Sequence, residues 1–177
     1  MKTQSSLTLL AIMTLGFVSC TITPHGTQDR QALGTVRTET ADEKIVAKEL
    51  VALTNQYRKG LGVEVLSPDH LLKGLAMEHS VFLSYNHDGN ANLAEIAHAG
   101  VYQRSDVALS QNHKEFSENV VWAQTDRGEA AYKLFHTLIN SESHRKAIEA
   151  SSWDHMGISV VKKNGAYYAT QLFSDTI

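Results

Sequence analysis

Cysteine is almost absent from this chain, since Cys20 is the only one in 177 residues. A single cysteine excludes an intramolecular disulfide and a zinc site built from thiolates, so the fold must depend on its apolar core. An excess of basic residues is also lacking, because 16 Lys and Arg face 19 Asp and Glu, giving a formal net charge of -3. No bulk field or basic cluster attracts phosphates, so we expect no nucleic-acid partner.

The usual catalytic signatures are missing as well. The sequence contains no HExxH, GxSxG, Walker A, GxGxxG or CxxC motif, which argues against an ordinary metalloprotease or α/β-hydrolase. The composition is 42% hydrophobic and 20% charged, with a mean hydropathy of -0.23. These values are typical of one soluble globular domain, and we expect it to be a monomer.

The first 20 residues have the layout of a signal peptide. Lys2 supplies one positive charge, residues 7–18 are almost entirely apolar, and a small residue precedes Cys20. The apolar run is too short for a membrane-spanning helix, which needs roughly 20 residues. Cys20 resembles the residue that bacterial lipoproteins lipidate at the end of a lipobox, although Phe17 stands where leucine is usual. We predict a signal peptide over residues 1–19 and lipidation of Cys20, with an ordinary secretory signal as the alternative.

A tether is predicted between the lipidated cysteine and the folded part. Residues 21–40 contain six threonines and two glycines without apolar periodicity, which is typical of a flexible segment. Removal of residues 1–19 takes away Lys2 and leaves 15 basic against 19 acidic residues, a formal charge of -4. Such a surface does not attract anionic headgroups, so acyl chains must provide the membrane attachment. We assign residues 20–40 to the lipidated Cys20 and tether and residues 41–177 to the domain, located in the cell envelope outside the cytoplasm.

Helical spacing and capping signals predict most of the helices. Thr40-Ala-Asp-Glu43 is a capping-box pattern in front of a helix that ends near Gly60. Ser67-Pro68-Asp69 predicts the start of a second helix, with the proline at its first helical position and an end near Tyr85. Two further helical stripes follow within residues 131–148.

The remaining segments predict a loop-rich centre and a small sheet. Residues 86–116 indicate a long irregular excursion with one short helix at residues 92–99, the kind of segment that usually carries function. Residues 120–123 form an apolar run suited to a buried strand. Asn164-Gly165 separates two β-branched or aromatic segments and predicts a hairpin. This order of elements predicts an α+β fold in which helices cover a small antiparallel sheet.

Three polar residues are candidates for chemistry. His87 begins the long excursion, and His144 lies near the start of a short helix that Ser141 can cap. Glu118 opens the apolar run, where a buried carboxylate must find a partner. Each also has an ordinary interpretation, as an exposed loop residue, a helix-cap residue, or a carboxylate bonded to backbone amides.

The other histidines and the strand aromatics are expected to have structural roles. His79 falls in the apolar stripe of the second helix, which indicates a buried histidine with a hydrogen-bond partner. His98 belongs to no group of candidate site residues and is expected to be a surface or packing residue. Aromatic residues such as Trp122 and Tyr168 could line a lipid groove, but aromatics in strands usually belong to the core.

A longer set of residues occurs in one order over residues 44–174. The set comprises Asn55, Arg58, Ala76, His79, His87, Ser-Glu-Asn-Val at 117–120, Ser141-x-x-His144-Arg145, Gly157 and Tyr168-x-Thr-Gln-x-Phe173. It resembles the CAP superfamily (SCP/TAPS domains) in its single-domain bacterial form. The resemblance implies an α-β-α sandwich whose central cleft carries two histidines and two acids, which bind zinc or another divalent ion in some members. It places the histidines at His87 and His144 and one acid at Glu118.

The sequence departs from the family pattern at three positions. Ser117 replaces the glycine of the common Gly-Glu-Asn, Leu138 stands where a tryptophan is common, and the second acid would fall near Ser141. A hydroxyl cannot replace a carboxylate as an anionic ligand, which leaves two imidazoles and one carboxylate. These three suit an open site for zinc, copper or nickel, or a metal-free cluster that shares protons.

Three functions stay open at this point. The first is an envelope-displayed binding or interaction module, held by its lipid anchor, whose cleft contains His87, Glu118, Ser141 and His144 and takes an unknown protein or lipid ligand. The second is a hydrolase for peptides or cell-wall material, with a histidine as base and Ser141 or a metal-bound water as nucleophile. The third is a carrier of sterols or fatty acids. Because catalytic signatures are missing, we expect the binding module.

Overall fold

A computed structural model of the chain describes residues 37–87 and 93–176. The predicted signal peptide, Cys20 and the tether up to residue 36 lie outside the described residues. Within them the elements, in chain order, are α1 (Ala41–Gly60), β1 (Ser67–Pro68), α2 (His70–Asn86), α3 (Leu93–Ile96), α4 (Val101–Leu109), β2 (His113–Gln124), α5 (Arg127–Asn140), α6 (Glu142–Glu149), β3 (His155–Lys163) and β4 (Ala166–Thr176). None of these helices is both long enough and apolar enough to cross a bilayer.

The four strands form one sheet in the order β1-β3-β4-β2. β4 pairs antiparallel with β3 and with β2, and the two-residue β1 pairs parallel with β3. Asn164 and Gly165 connect β3 to β4 with positive φ values of 51° and 78°, which a type I′ turn requires. The hairpin prediction is therefore confirmed.

Helices cover both faces of the sheet. Residues of α1, α5 and α6 share one apolar cluster with Ile158, Ala169 and Phe173. On the other face, Leu72 and Leu75 of α2 pack with Leu172. Because side chains alternate along a strand, neighbouring β4 residues enter different layers and the strand is buried on both sides. The α-β-α sandwich is confirmed, with a sheet that is antiparallel except for β1.

The capping box at the start of α1 is confirmed. Thr40 Oγ1 accepts a bond from the Glu43 backbone N–H, and Glu43 Oε2 accepts one from the Thr40 N–H at 2.8 Å. The second carboxylate oxygen of Glu43 accepts the Lys162 N–H at 2.6 Å. The same side chain therefore caps α1 and fixes its first turn against β3.

The predicted start of α2 is wrong by two residues. Pro68 lies in β1, and Asp69 is the N-cap, with its side chain accepting from the Leu72 N–H. The Ser67 N–H donates to the Asp154 carbonyl and the Asp69 N–H donates to the Met156 carbonyl. Pro68 lies between these two donors, at a position where the pairing with β3 requires no backbone N–H. Strand pairing, which the local pattern does not reveal, outweighed the helix-start signal.

The predicted excursion contains more regular structure than expected. The short helix is present as α3, but α4 was missed because only Ala108 of its nine residues is buried, so its apolar spacing is weak. β2 begins at His113 rather than near residue 120. All of its first six residues except Phe116 are polar, and Glu118 is buried because Arg104 of α4 pairs with it. The hydropathy pattern therefore did not reveal this part of the strand.

Candidate functional site

Glu118 lies at the centre of a buried polar cluster. Its side chain is 1% exposed, and Arg104 of α4 donates to both carboxylate oxygens, from Nε to Oε2 at 2.7 Å and from Nη2 to Oε1 at 2.8 Å. The remaining Nη1 of Arg104 donates to the Ala99 carbonyl at 2.8 Å. This bidentate pair is the strongest common geometry for a guanidinium and a carboxylate. The Glu118 charge is therefore balanced within the protein.

Two histidines complete the cluster. His98 Nδ1 lies 3.0 Å from Glu118 Oε1, and His79 Nε2 lies 3.8 Å from the same oxygen while it bonds to the Ala97 carbonyl. Carboxylate and carbonyl oxygens only accept hydrogen bonds, so both ring nitrogens carry protons. The buried, hydrogen-bonded His79 is as predicted. His98 is 51% exposed on its side chain and is the member of the cluster that solvent or a ligand can reach.

The electrostatics of the cluster favour an ionised Glu118 and a neutral His79. Burial raises the pKa of Glu118, but the hydrogen bonds from His98 and Arg104 outweigh it, so the net pKa is lowered. Burial also lowers the pKa of His79, against the opposing effects of the Ala97 carbonyl and Glu118. The ion pair thus stays formed at neutral pH, because the guanidinium remains protonated.

A cleft opens beside this cluster, along the edge strand β2. It has a volume of about 340 Å³ and is lined by side chains of α3, β2, α5 and α6 together with His98. Most of the described lining residues are apolar, including Leu93, Val120 and Trp122, and His98 and His144 are the two titratable side chains among them. None of the described residues that line the cleft is acidic. Such a cleft suits a largely apolar group that also offers a hydrogen bond.

His144 reaches the cleft from α6 and is positioned through its backbone. Its carbonyl accepts a bond from Asn119 Nδ2 at 3.0 Å, and Asn119 is linked in turn to Gln171, which donates to Thr54 of α1 at 3.1 Å. Nδ1 of His144 is buried and has no partner among the described residues. Burial, and secondarily the charge of His98, lowers the pKa of His144. A neutral imidazole with an unused nitrogen therefore lines the cleft.

His87 lies in a different environment from the other predicted site residues. It follows α2 as its C-cap, is buried, and its Nδ1 lies 3.1 Å from the Tyr168 hydroxyl. Its ring packs against Trp122, with centroids 4.6 Å apart. These contacts make His87 part of an aromatic cluster with Trp122 and Tyr168. Trp122 lines the cleft, but His87 is not among the lining residues.

Ser141 caps α6 by position rather than by a side-chain bond. It is the N-cap residue of α6 without a side-chain cap bond, and its Oγ lies 3.2 Å from the Ser143 Oγ. None of the side-chain hydrogen bonds in the described part of the chain joins Ser141 to His144. The predicted nucleophile and base are therefore not paired in this structure.

The implied metal site does not fit the arrangement of the three expected ligands. Within residues 37–87 and 93–176, no group of three or more His, Cys, Asp or Glu side chains is placed to hold a metal ion. Both oxygens of Glu118 are bound by Arg104, and His87 Nδ1 faces the Tyr168 hydroxyl. The structure brings Glu118 and His144 to the region of one cleft but does not assemble a ligand set with His87.

Neither His98 nor Arg104 was predicted as a site residue, and His98 was expected to be a surface or packing residue. One signal was available for the arginine. A glutamate inside an apolar strand requires a cationic partner, and Arg104 is the only Lys or Arg between Lys73 and Lys114. No comparable signal identified His98, because its contact with Glu118 joins residues 20 positions apart.

The fold and the cleft together define a class: a three-layer α-β-α sandwich with a histidine-containing cleft at the edge of its sheet. Over residues 51–173 the sequence matches the family model described as the cysteine-rich secretory protein family, CAP. The match covers more than half of the chain, so this protein belongs to the CAP family. The resemblance noted from the sequence is confirmed.

Solved structures agree with this assignment of the fold. A cysteine-rich secretory protein from Staphylococcus aureus is 21% identical with a TM-score of 0.60, over 79% of this chain and 42% of that chain. This chain thus spans less than half the length of the staphylococcal protein. An outer surface protein from Borrelia burgdorferi is 20% identical with a TM-score of 0.56, over 80% of this chain and 100% of that chain. A search of curated protein sequences found no match.

One structural neighbour has been solved with zinc. NaASP2 with Zn²⁺ is 10% identical to this chain with a TM-score of 0.52, and the likeness covers 76% of this chain and 80% of that chain. At this identity the likeness concerns the fold alone. The identity of the residues around Glu118, rather than the shared fold, must decide whether this cleft can hold a metal.

Proposed function

We propose that this protein is a CAP-domain binding module that acts outside the cytoplasm and receives an apolar part of its ligand in the cleft beside β2. The observation that carries the proposal is the lining of this cleft, in which apolar side chains surround the imidazoles of His98 and His144. The volume of about 340 Å³ is at the lower end of small-ligand sites. It accommodates an aromatic or aliphatic group better than a whole large molecule.

The polar groups that line the cleft restrict the class of ligand further. Glu118 is neutralised by Arg104 and is not one of the lining residues, so the described lining residues offer imidazoles and no carboxylate. A ligand with a hydrogen-bonding or weakly anionic group next to an apolar body complements this surface, because each imidazole can donate or accept. An apolar side chain of a protein partner and a lipid chain both meet this description.

A fluorescent probe tests the cleft. Anilinonaphthalene sulfonate combines an apolar ring system with an anionic group, and we expect it to bind the wild-type chain with enhanced fluorescence. Ala94 lies on the exposed side of α3 and lines the cleft, so Ala94→Trp should fill the entrance and weaken binding by at least about fivefold. Ala52→Trp, at an exposed position of α1 outside the cleft, is the matched control.

The same titration distinguishes the two kinds of ligand. Displacement of the probe by dodecanoate from both wild type and Ala52→Trp would identify a lipid chain as the occupant of the cleft, and no displacement would favour a protein partner. Equal probe affinity in Ala94→Trp and Ala52→Trp would contradict the proposed cleft.

The proposed location rests on the predicted lipobox. The structural neighbour from Borrelia burgdorferi is an outer surface protein, which supports display at the cell envelope. With Cys20 lipidated, we expect the protein in the membrane fraction, and Cys20→Ala should move it to the soluble fraction. Membrane association that survives Cys20→Ala would rule out the lipid anchor.

A hydrolase is the second candidate, favoured by one contact. His98 Nδ1 donates to the Glu118 carboxylate at 3.0 Å, which orients the ring and leaves Nε2 as the acceptor nitrogen on an exposed side chain. In an ester hydrolysis, Nε2 would take a proton from the attacking water and return it to the leaving alkoxide. We expect His98→Ala to lower p-nitrophenyl butyrate hydrolysis at least about tenfold, whereas His70→Ala, at an exposed position of α2, should not. Equal rates would exclude this function.

A further inference from the structure

We infer that the guanidinium of Arg104 takes the place of a divalent cation at Glu118, so that this CAP cleft retains its buried carboxylate without a metal. The inference goes beyond the proposed function, because it concerns the cation that balances Glu118 and not the ligand. The family resemblance implied Glu118 as a metal ligand, whereas in this structure Glu118 forms an ion pair with Arg104.

The ion pair engages both carboxylate oxygens of Glu118. Arg104 Nε and Nη2 each approach a different carboxylate oxygen, at 2.7 and 2.8 Å, and the third guanidinium nitrogen is anchored on the Ala99 carbonyl. The Arg104 side chain is 11% exposed and the Glu118 side chain 1%. A divalent ion would have to displace this guanidinium, each of whose three nitrogens donates a hydrogen bond, before it could bind between Arg104 and the carboxylate, and the two cations would repel each other.

The protonation of the two histidine nitrogens nearest to Glu118 is also unsuited to metal binding. His98 Nδ1 donates to Oε1, and His79 Nε2 donates to the Ala97 carbonyl. A metal ligand must offer a lone pair, whereas both of these nitrogens carry protons in the arrangement seen here. The cluster is therefore organised around a guanidinium that donates hydrogen bonds to both oxygens of Glu118.

The same cluster becomes a potential metal site when the guanidinium is removed. Glu118 Oε1 lies 3.0 Å from His98 Nδ1 and 3.8 Å from His79 Nε2, so one carboxylate and two imidazoles converge on one region. Zinc is bound by such a combination in open sites. Without Arg104, a buried and unbalanced carboxylate would favour an incoming cation, which the two imidazoles can help to bind.

Zinc titration of the full chain tests the inference. At about pH 7.5 we expect Arg104→Gln to bind Zn²⁺ at least about tenfold more tightly than wild type, measured by calorimetry. The gain should disappear in Arg104→Gln/Glu118→Gln and in Arg104→Gln/His98→Ala. Arg127→Gln, which removes a partly exposed arginine of α5, is the charge-matched control and should leave zinc affinity unchanged.

A second comparison does not depend on the folding of the Arg104 variants. We expect Glu118→Gln to leave the zinc affinity of the chain with Arg104 intact, because the carboxylate is already occupied. The inference is overturned if Glu118→Gln weakens zinc binding tenfold or more, since Glu118 would then be a ligand in the presence of Arg104. It is also overturned if folded Arg104→Gln, checked by circular dichroism, binds zinc no more tightly than wild type.

Discussion

Among the described glycines, Gly157 is the one at which an added methyl group would meet the closest atoms. It lies in β3 on the face covered by α2, and a Cβ built at this position would be 2.2 Å from the Leu72 carbonyl carbon and 2.2 Å from the Lys73 nitrogen. Both atoms belong to the helix backbone. We therefore predict that Gly157→Ala forces α2 away from the sheet or displaces β3.

The loss of stability in Gly157→Ala depends on which atoms must move to make room for the new methyl group. Side-chain overpacking costs roughly 1–3 kcal/mol when neighbours can change rotamer. Here the obstruction is a helix backbone whose Leu72 side chain is fully buried, so relief requires a shift of the whole helix. We expect a loss of about 3 kcal/mol or more in the free energy of unfolding. For a domain of this size the melting temperature should fall by about 10 °C.

Equilibrium unfolding in urea, followed by circular dichroism, measures this loss directly. Gly74→Ala is the matched control, because Gly74 lies within α2, close to the contact in sequence, and a Cβ there meets nothing within 4 Å. Removing a glycine from a helix interior should stabilise the protein by roughly 0.5–1 kcal/mol. The same substitution thus has opposite expected signs at two positions on either side of one interface.

The refuting result is a Gly157→Ala variant within about 0.5 kcal/mol of wild type, which is the ordinary range for an uncrowded site. Such a result would mean that α2 and β3 are not in the close contact that the structure gives. A loss in Gly74→Ala as large as that in Gly157→Ala would also refute the reasoning, because the effect would then not arise from the contact with Leu72.

Three further predictions concern a buried arginine, a cleft histidine and a helix cap. Arg58 is fully buried and donates to the carbonyls of Glu64, Ile148 and Ala150. Arg58→Met leaves these carbonyls unpaired and should lower the free energy of unfolding, measured in urea, by about 3 kcal/mol or more. A loss under about 1 kcal/mol would contradict this prediction. Burial lowers the pKa of His144 below its unfolded value of 6.5, so the unfolded state binds more protons and stability falls as the pH drops below about 6.5. His144→Gln should reduce this slope of unfolding free energy between about pH 6.5 and 5, and an unchanged slope would contradict the assignment. Thr40→Ala removes one half of the capping box and should lower the free energy of unfolding by about 1 kcal/mol, whereas an unchanged melting temperature would show that Glu43 holds the turn alone.

Features encoded within a few residues could be predicted from the sequence. The capping box at Thr40 and the hairpin at Asn164-Gly165 depend on side-chain bonds and backbone angles that belong to the residues themselves, so tertiary context did not change them. The order of motifs from Asn55 to Phe173 was specific enough to indicate the family and hence the α-β-α sandwich. The local Ser67-Pro68-Asp69 pattern misled, because a two-residue pairing with β3 took Pro68 out of the helix.

The candidate site could be predicted only in part. Glu118 and His144 were chosen from their positions in the sequence, and the structure brings both to the region of the cleft beside β2. His87, the C-cap of α2, lies against Trp122 and Tyr168 instead. A metal or a proton-sharing cluster was predicted at Glu118, and Arg104 was not predicted as its partner.

The sequence by itself determined most of the element types, the turn between β3 and β4 and the membership of the CAP family, since these follow from local conformational preferences and from the spacing of motifs along the chain. The tertiary structure alone decided which charge Glu118 meets. Arg104 and His98 reach it from 14 and 20 residues away in the sequence, through the packing of α4 and the segment before it against β2. Such contacts between elements arise from how the layers pack, which no periodicity within α4 or β2 specifies.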